Sequence, residues 1–232
     1  MSNPLINRLL LYRGRRDYSP LNISNCELYL NYKVSSSLAI GTGVSQWADL
    51  STSGRNLTQP IGSSQPILNS DGVLFDGVND VLEASSFSCT NGYCFFVVSR
   101  TFATGGTRSL IANGDGSAGF SLRMNNIRNV VHNGMAVFGF NPFSTTDYEI
   151  ICGNWSPTTQ TLDMYVNNVL VNTYSVSSIN NPIAKILALG NRNTTVEFIN
   201  ASVKGVLLYS RSLTTDEITN NFNFLNAQFS VY

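Results

Sequence analysis

Short runs rich in Val, Ile, Leu, Phe and Tyr recur almost from end to end, separated by clusters of Gly, Asn and Ser. This pattern predicts strands joined by turns. The runs fall at 27–32, 44–47, 73–75, 81–84, 93–102, 109–113, 119–124, 135–140, 148–155, 161–166, 170–174, 186–190 and 201–209. That many short strands fit an all-β, two-sheet antiparallel sandwich, and 232 residues is a size that one such domain reaches.

Within the runs, spacing says more. In TLDMYVN, Leu162, Met164 and Val166 alternate with Thr161, Asp163 and Tyr165, so one face is core. FFVVSRTF is continuously apolar at its start, which predicts a central strand covered on both sides. VNNVLV sets Asn167 and Asn168 between two strands, and paired Asn tolerates the positive φ of a type I′ hairpin. VLFDGVNDVLEA, residues 73–84, likewise reads as a hairpin. One helix signal stands out, in SLTTDEITNNFNFLNAQ: Thr214 and Glu217 form a capping box, and Ile218, Phe222 and Leu225 recur at helical spacing. A short C-terminal helix is therefore expected on the sandwich.

Charge is sparse and balanced, at 12% of residues with 14 basic and 14 acidic groups. No global field favours nucleic acid or an anionic membrane, and neither is an expected partner. Arg8, Arg13, Arg15 and Arg16 nevertheless crowd the first 25 residues against Asp17 alone, and alternation is missing there. The chain divides accordingly into a basic N-terminal arm, 1–25, and a sandwich, 26–232. Two readings of the arm stay open, an anchor on a partner and a solvated terminus. No stretch approaches the roughly 18 to 20 apolar residues of a membrane span. In MSNPLINRLLLYRGRR the charges follow the apolar run and no small-residue cleavage site comes after, so no signal peptide is expected.

Cys26, Cys89, Cys94 and Cys152 lack the paired spacing of a zinc site. Reduced, mostly buried thiols are expected, with a Cys89–Cys94 pairing across the CTNGYC turn left open. The lone histidine, His132, reads as a turn or surface residue.

Four stretches in order, VSQWADLSTSGRNLTQ, VLFDGVNDVLEA, LDMYVNNVLVNTYS and VKGVLLYSRSLTTDEITNNFNFL, resemble the concanavalin A-like lectin/glucanase superfamily. The likeness is to its laminin-G-like jelly-roll branch, found in bacterial surface proteins and tailed-phage virion proteins. It implies a jelly-roll sandwich but not one function, because the fold serves lectins, enzymes and structural modules. Two departures, Asn168 where the family has Gly and Ser-Thr-Ser-Gly after Trp47, keep their turn chemistry.

Glucanases of this superfamily share an E-x-D-x-(x)-E strand, and retaining hydrolysis needs two carboxyls about 5 Å apart. None of the five glutamates makes that motif; Asp147 and Glu149 come nearest. A non-enzyme is expected. Asp49, Asp80 and Asp115 are candidate ligands for Ca²⁺, which such folds often hold through Asp, Asn and loop carbonyls; no cofactor is required. Trp47, Phe140, Phe143, Tyr148 and Trp155 are candidate platforms for stacking a sugar. The expectation is a non-enzymatic virion surface protein, a decoration, head-fibre or tail-associated component. It would be held to other virion proteins by Arg8, Arg13, Arg15 and Arg16, with a cell-surface glycan and a second copy of itself as further candidate partners. The place is a virion surface or the extracellular space. The alternatives are a stand-alone carbohydrate-binding module or lectin and, third, a glycoside hydrolase.

Overall fold

The structure, a computed structural model, describes residues 18–102, 106–114, 119–124, 128–132, 135–140, 144–176, 185–192 and 197–232; for 135–138, 140 and 185 only the backbone course is described. Seventeen strands form two antiparallel sheets. The first contains β1 (Cys26–Asn31), β5 (Ile67–Asn69), β6 (Gly72–Asp76), β8 (Tyr93–Thr101), β13 (Glu149–Ser156), β14 (Thr161–Val166), β15 (Val169–Ser175) and β17 (Asn200–Tyr209). Its order is β15-β14-β13-β8-β17-β6-β5, with β1 also on β17. The second contains β2 (Leu38–Ile40), β3 (Val44–Trp47), β4 (Leu57–Thr58), β7 (Leu82–Phe87), β9 (Arg108–Asn113), β10 (Phe120–Met124), β11 (Arg128–His132), β12 (Met135–Phe140) and β16 (Lys185–Leu189). Its order is β12-β11-β10-β9-β16-β7-β4-β3-β2. This is the expected jelly-roll sandwich.

The continuous apolar run lies where its composition requires. β8 is the fourth of seven strands along the first sheet. Tyr93, Phe95 and Val97 point between the sheets, while Cys94, Phe96 and Val98 point into a second apolar layer on the opposite face. That layer is closed by helix α1 (Thr215–Phe229), longer than the short helix expected. Thr214 and Glu217 form its capping box, and Ile218, Phe222, Leu225 and Phe229 are buried against the sheet. Each buried side chain contributes about 1.5–3 kcal/mol, so this one-sided helix is held by packing more than by its own propensity.

Asn167 and Asn168 have φ of 49° and 66°, so the β14–β15 hairpin turns as its asparagines predict. VLFDGVNDVLEA does not form a hairpin. β6 pairs with β5 and β17 in the first sheet, and β7 pairs with β4 and β16 in the second, so residues 77–81 arch from one sheet to the other. Asp76 Oδ1 accepts from the amides of Val78 and Asn79, and Asp80 Oδ2 accepts from the amide of Asp76 at 2.9 Å, which shapes the arch.

His132 is buried rather than superficial. β11 turns it inward with Val130, its Nδ1 lies 3.1 Å from the Tyr93 hydroxyl, and its ring packs on Trp155 at 4.8 Å. All four cysteines are free, and three are buried. Cys94, not paired with Cys89, has its sulfur 3.7 Å from that of Cys152 under α1. Residues 18–25, expected in the arm, pack on the body: Ile23 is buried, Tyr18 donates to Asn221 Oδ1 at 2.7 Å, and Tyr209 donates to Pro20 O. Arg8, Arg13, Arg15 and Arg16 lie outside the described residues.

Candidate functional site

At one end of the sandwich four segments meet: the entry to β1, the β3–β4 loop, the β7–β8 turn and the exit of β17. They enclose two adjoining clefts of about 350 and 320 Å³ that share Asn25 and Glu27. Glu27 lies at the centre because β1 turns Leu28 and Leu30 to the core and leaves this neighbour outside. Its Oε2 accepts from Arg55 Nη2 at 3.0 Å, Arg55 Nε at 3.2 Å and Ser53 Oγ at 3.2 Å; its Oε1 accepts from Ser210 Oγ at 2.8 Å. Arg55 in turn spans the β7 end, donating to Ser86 O at 2.7 Å and lying over the Phe87 ring.

The β3–β4 loop is held in place by Asp49. Its carboxylate accepts from the amides of Tyr29, Ser51 and Arg55 and from the Ser51 hydroxyl, at 2.7–3.0 Å. On the far wall Arg211 grips Glu217 with two nitrogens, at 2.6 and 2.9 Å, which holds the Glu217 carboxyl below its ordinary range. The two arginines are thus balanced by two carboxylates. What remains for a ligand is a neutral wall of exposed amides and hydroxyls, Asn25, Asn91, Ser88 and Thr52. Such a wall can donate and accept hydrogen bonds with a polyhydroxylated ligand.

The residues singled out by sequence are not gathered here. Trp47 and Trp155 have no exposed surface, and neither indole N–H has a hydrogen-bond partner among the described residues. Both are core residues of strands β3 and β13, so neither can stack on a sugar. Tyr148 lies on the outer face of the first sheet, its hydroxyl donating to Asp71 O and its ring under Lys204. Burial pushes that phenol up to about 12. The Phe140 side chain and Phe143 lie outside the described residues, as does Asp115.

Two of the three calcium candidates, Asp49 and Asp80, are engaged within the protein. Asp49 already has four protein donors, and Asp80 is buried in the arch, where desolvation and the neighbouring Asp76 raise its carboxyl to about 6. No cluster of three His, Cys, Asp or Glu side chains occurs among the described residues. Sequence reasoning missed Glu27, Arg55, Asn91 and Arg211. The one available signal was rarity: in a chain this poor in charge, a glutamate opening a strand and an arginine in a turn call for each other.

The family model of the concanavalin A-like lectin/glucanases superfamily matches residues 69–219. The chain belongs to this superfamily. No curated protein matches it significantly. Among solved structures it is similar to Trypanosoma rangeli sialidase in complex with sialic acid, with a TM-score of 0.69 and 14% identity over 90% of this chain and 34% of that one. It is also similar to the binding domain of botulinum neurotoxin serotype G, with a TM-score of 0.63 and 15% identity over 88% of this chain and 52% of that one. A third is botulinum neurotoxin type C, from a structure on cell entry dependent upon two ganglioside molecules, with a TM-score of 0.65 and 14% identity over 89% and 53%. The superfamily member thus spans about a third of the sialidase and half of each toxin structure, and at these identities the likeness is one of fold.

Proposed function

We propose that this superfamily member is a non-enzymatic binding protein that holds a neutral glycan in the cleft around Glu27. The observation that carries the reading is the cleft itself, where internal ion pairs cancel the charge and leave Asn25, Asn91, Ser88 and Thr52 facing outward. The fold neighbours lend support to a glycan as the ligand class, since one is a sialidase holding sialic acid and another a toxin whose cell entry depends on gangliosides; both of those sugars are acidic, so the neutrality of the ligand rests on the cleft alone. A binding rather than hydrolytic role is supported by the glutamates. Glu27, Glu149, Glu197 and Glu217 are each paired with an arginine, Arg55, Arg128, Arg192 and Arg211, rather than with a second carboxyl. A carboxylate held this way is stabilised in its charged form and is a poor general acid.

The finer part of the proposal is a place on the exterior of a phage-like particle, with the basic segment before Tyr18 as the anchor. Support comes from the charge-poor, Asn- and Ser-rich composition and from the resemblance to tailed-phage virion proteins. Glycan-array binding tests the first part: wild type should retain a neutral oligosaccharide, and Asn91→Ala with Ser88→Ala should weaken it roughly tenfold, the worth of one or two hydrogen bonds. Binding that is absent from the array, or unchanged in the double variant, rejects the cleft. For the second part, removal of residues 1–17 should abolish incorporation into particles while leaving the melting temperature unchanged, and incorporation that persists rejects the anchor.

A further inference from the structure

Helix α1 covers only part of the outer face of the first sheet. Past its C-terminal end, where Phe229 packs over Gly205, the outward side chains of β8 and β17 include Arg100 and Lys204, which keep 27% and 13% of their side-chain surface exposed, beside the buried Ser202. Two cations gather there around one carboxylate, and a third lies at the helix end. Arg100 Nη2 lies 2.6 Å from Asp71 Oδ2, and Lys204 Nζ lies 3.3 Å from Asp71 Oδ1. Lys33, exposed, donates to Gln228 O at 2.6 Å beside the Phe229 ring. Tyr32 joins the two halves, stacked on Phe229 and donating to Ser70 O next to Asp71. The chain has only three lysines, and two of them are here. A protein of zero formal charge thus places three cations on one face, against Asp71 and against Asp147, which adjoins the Thr146 carbonyl that accepts from Arg100 Nη1 at 3.4 Å.

Aromatic rings are interleaved with the cations. The Arg100 guanidinium carbon lies 4.8 Å from the Phe102 ring and 5.0 Å from the Tyr148 ring, and Lys204 Nζ lies 3.6 Å over Tyr148. Phe102 is 40% exposed, and Arg100 Nε is buried with no hydrogen-bond partner. Asp71 holds Arg100 and Lys204 in place and offsets one of their two charges, Lys33 keeps its own, and Phe102 supplies flat apolar surface beside them.

We propose that this face binds an acidic polysaccharide, its carboxylates or sulfate esters paired with Lys33 and the exposed parts of Arg100 and Lys204 and its sugar C–H faces stacked on Phe102. Charge complementarity selects the anion. An acidic peptide fits less well, because β8 and β17 are interior strands with backbone groups already paired on both sides, so an extended peptide finds no edge to join. The site lies on strands β8 and β17 and stands independently of the cleft at Glu27.

The test measures binding of full-length protein to polygalacturonate, dextran sulfate, polyglutamate and neutral dextran. One or both anionic polysaccharides should bind and neutral dextran should not; which of the two binds tells carboxylate from sulfate. Raising salt from about 0.05 to about 0.5 M should weaken binding at least tenfold, as expected for exposed charge pairs. Lys204→Gln should weaken it by a similar factor, and Lys33→Gln, an exposed residue whose loss spares the fold, by about threefold. Asn91→Ala should have no effect. Failure of both anionic polysaccharides to bind above neutral dextran overturns the proposal, as does binding indifferent to Lys33→Gln and Lys204→Gln in folded protein. Polyglutamate bound as tightly as the sugars overturns the glycan assignment.

Discussion

The guanidinium of Arg128, on β11 of the second sheet, donates to the carboxylate of Glu149, on β13 of the first. Arg128 is 1% exposed, so this pair ties the two layers by charge, and the Ser144 amide donates to the same carboxylate.

Removing one partner leaves the other charged and dry. Glu149→Ala should cost about 3–5 kcal/mol, whereas the double change Arg128→Met with Glu149→Leu should recover most of the loss. Urea unfolding of wild type and the two variants checks this; a double variant as unstable as Glu149→Ala would show that packing, not charge, is at fault.

Asp80 gives the molecule a pH signature. Its carboxyl is raised from 3.8 to about 6, first by burial and then by Asp76, so the folded protein holds this proton more tightly than the unfolded chain does. The resulting stabilisation is complete below the unfolded value and is lost as pH rises through the folded one. Between pH 4 and 6, about the window set by those two values, wild type should lose stability relative to Asp80→Asn, and the difference should level off above it. Parallel stability curves for the two proteins would rule this out.

The thiols should be silent until the protein unfolds. Burial pushes Cys26 and Cys89 up to about 12 and Cys152 well above its ordinary value, and the thiolate is the reactive form. A thiol-reactive chromogen should label these three slowly in native protein and label all four cysteines promptly in denaturant. Rapid native labelling at Cys152 would contradict the burial of the layer beneath α1.

The capping box is separable from the packing it starts. Thr214→Ala removes the acceptor for the Glu217 amide and should cost about 1 kcal/mol, within a range of roughly 0.5–2. Glu217 keeps its grip on Arg211, so the cleft should bind as before. A loss of binding equal to the loss of stability would mean that the helix start and the cleft wall move as one.

Sequence patterns revealed what short stretches decide for themselves. The alternation of TLDMYVN, the paired asparagines after it, the apolar FFVV run and the Thr214–Glu217 box all act within a few residues, and the structure has each where it was expected. Strands β2, β4 and β5, at two or three residues, are too short to show alternation, and β11 hid because RNVVH mixes charge with its apolar residues. Asp76 to Asp80 could be read as a turn but not as an arch, since that distinction depends on Val73 pairing with Val203 far along the chain. The cleft was illegible for the same reason: Asn25, Arg55, Asn91 and Arg211 meet only after both sheets close. Aromatic residues misled most, because a tryptophan fit to stack on a sugar is also the largest filler for a sandwich core, and composition does not tell them apart.

β17 holds a final consequence. Its first residues pair with β6, its last with β1, and its other edge along its length with β8. The interior strand β17 is therefore synthesised after every other strand of the first sheet. Until it emerges, β1, β6 and β8 face a vacant lane with their backbone groups exposed, and no subset of the earlier strands can settle into the finished sheet. Folding of this domain must wait for β17, and a chain released before residue 200 would be a substrate for aggregation or proteolysis rather than a shorter working version.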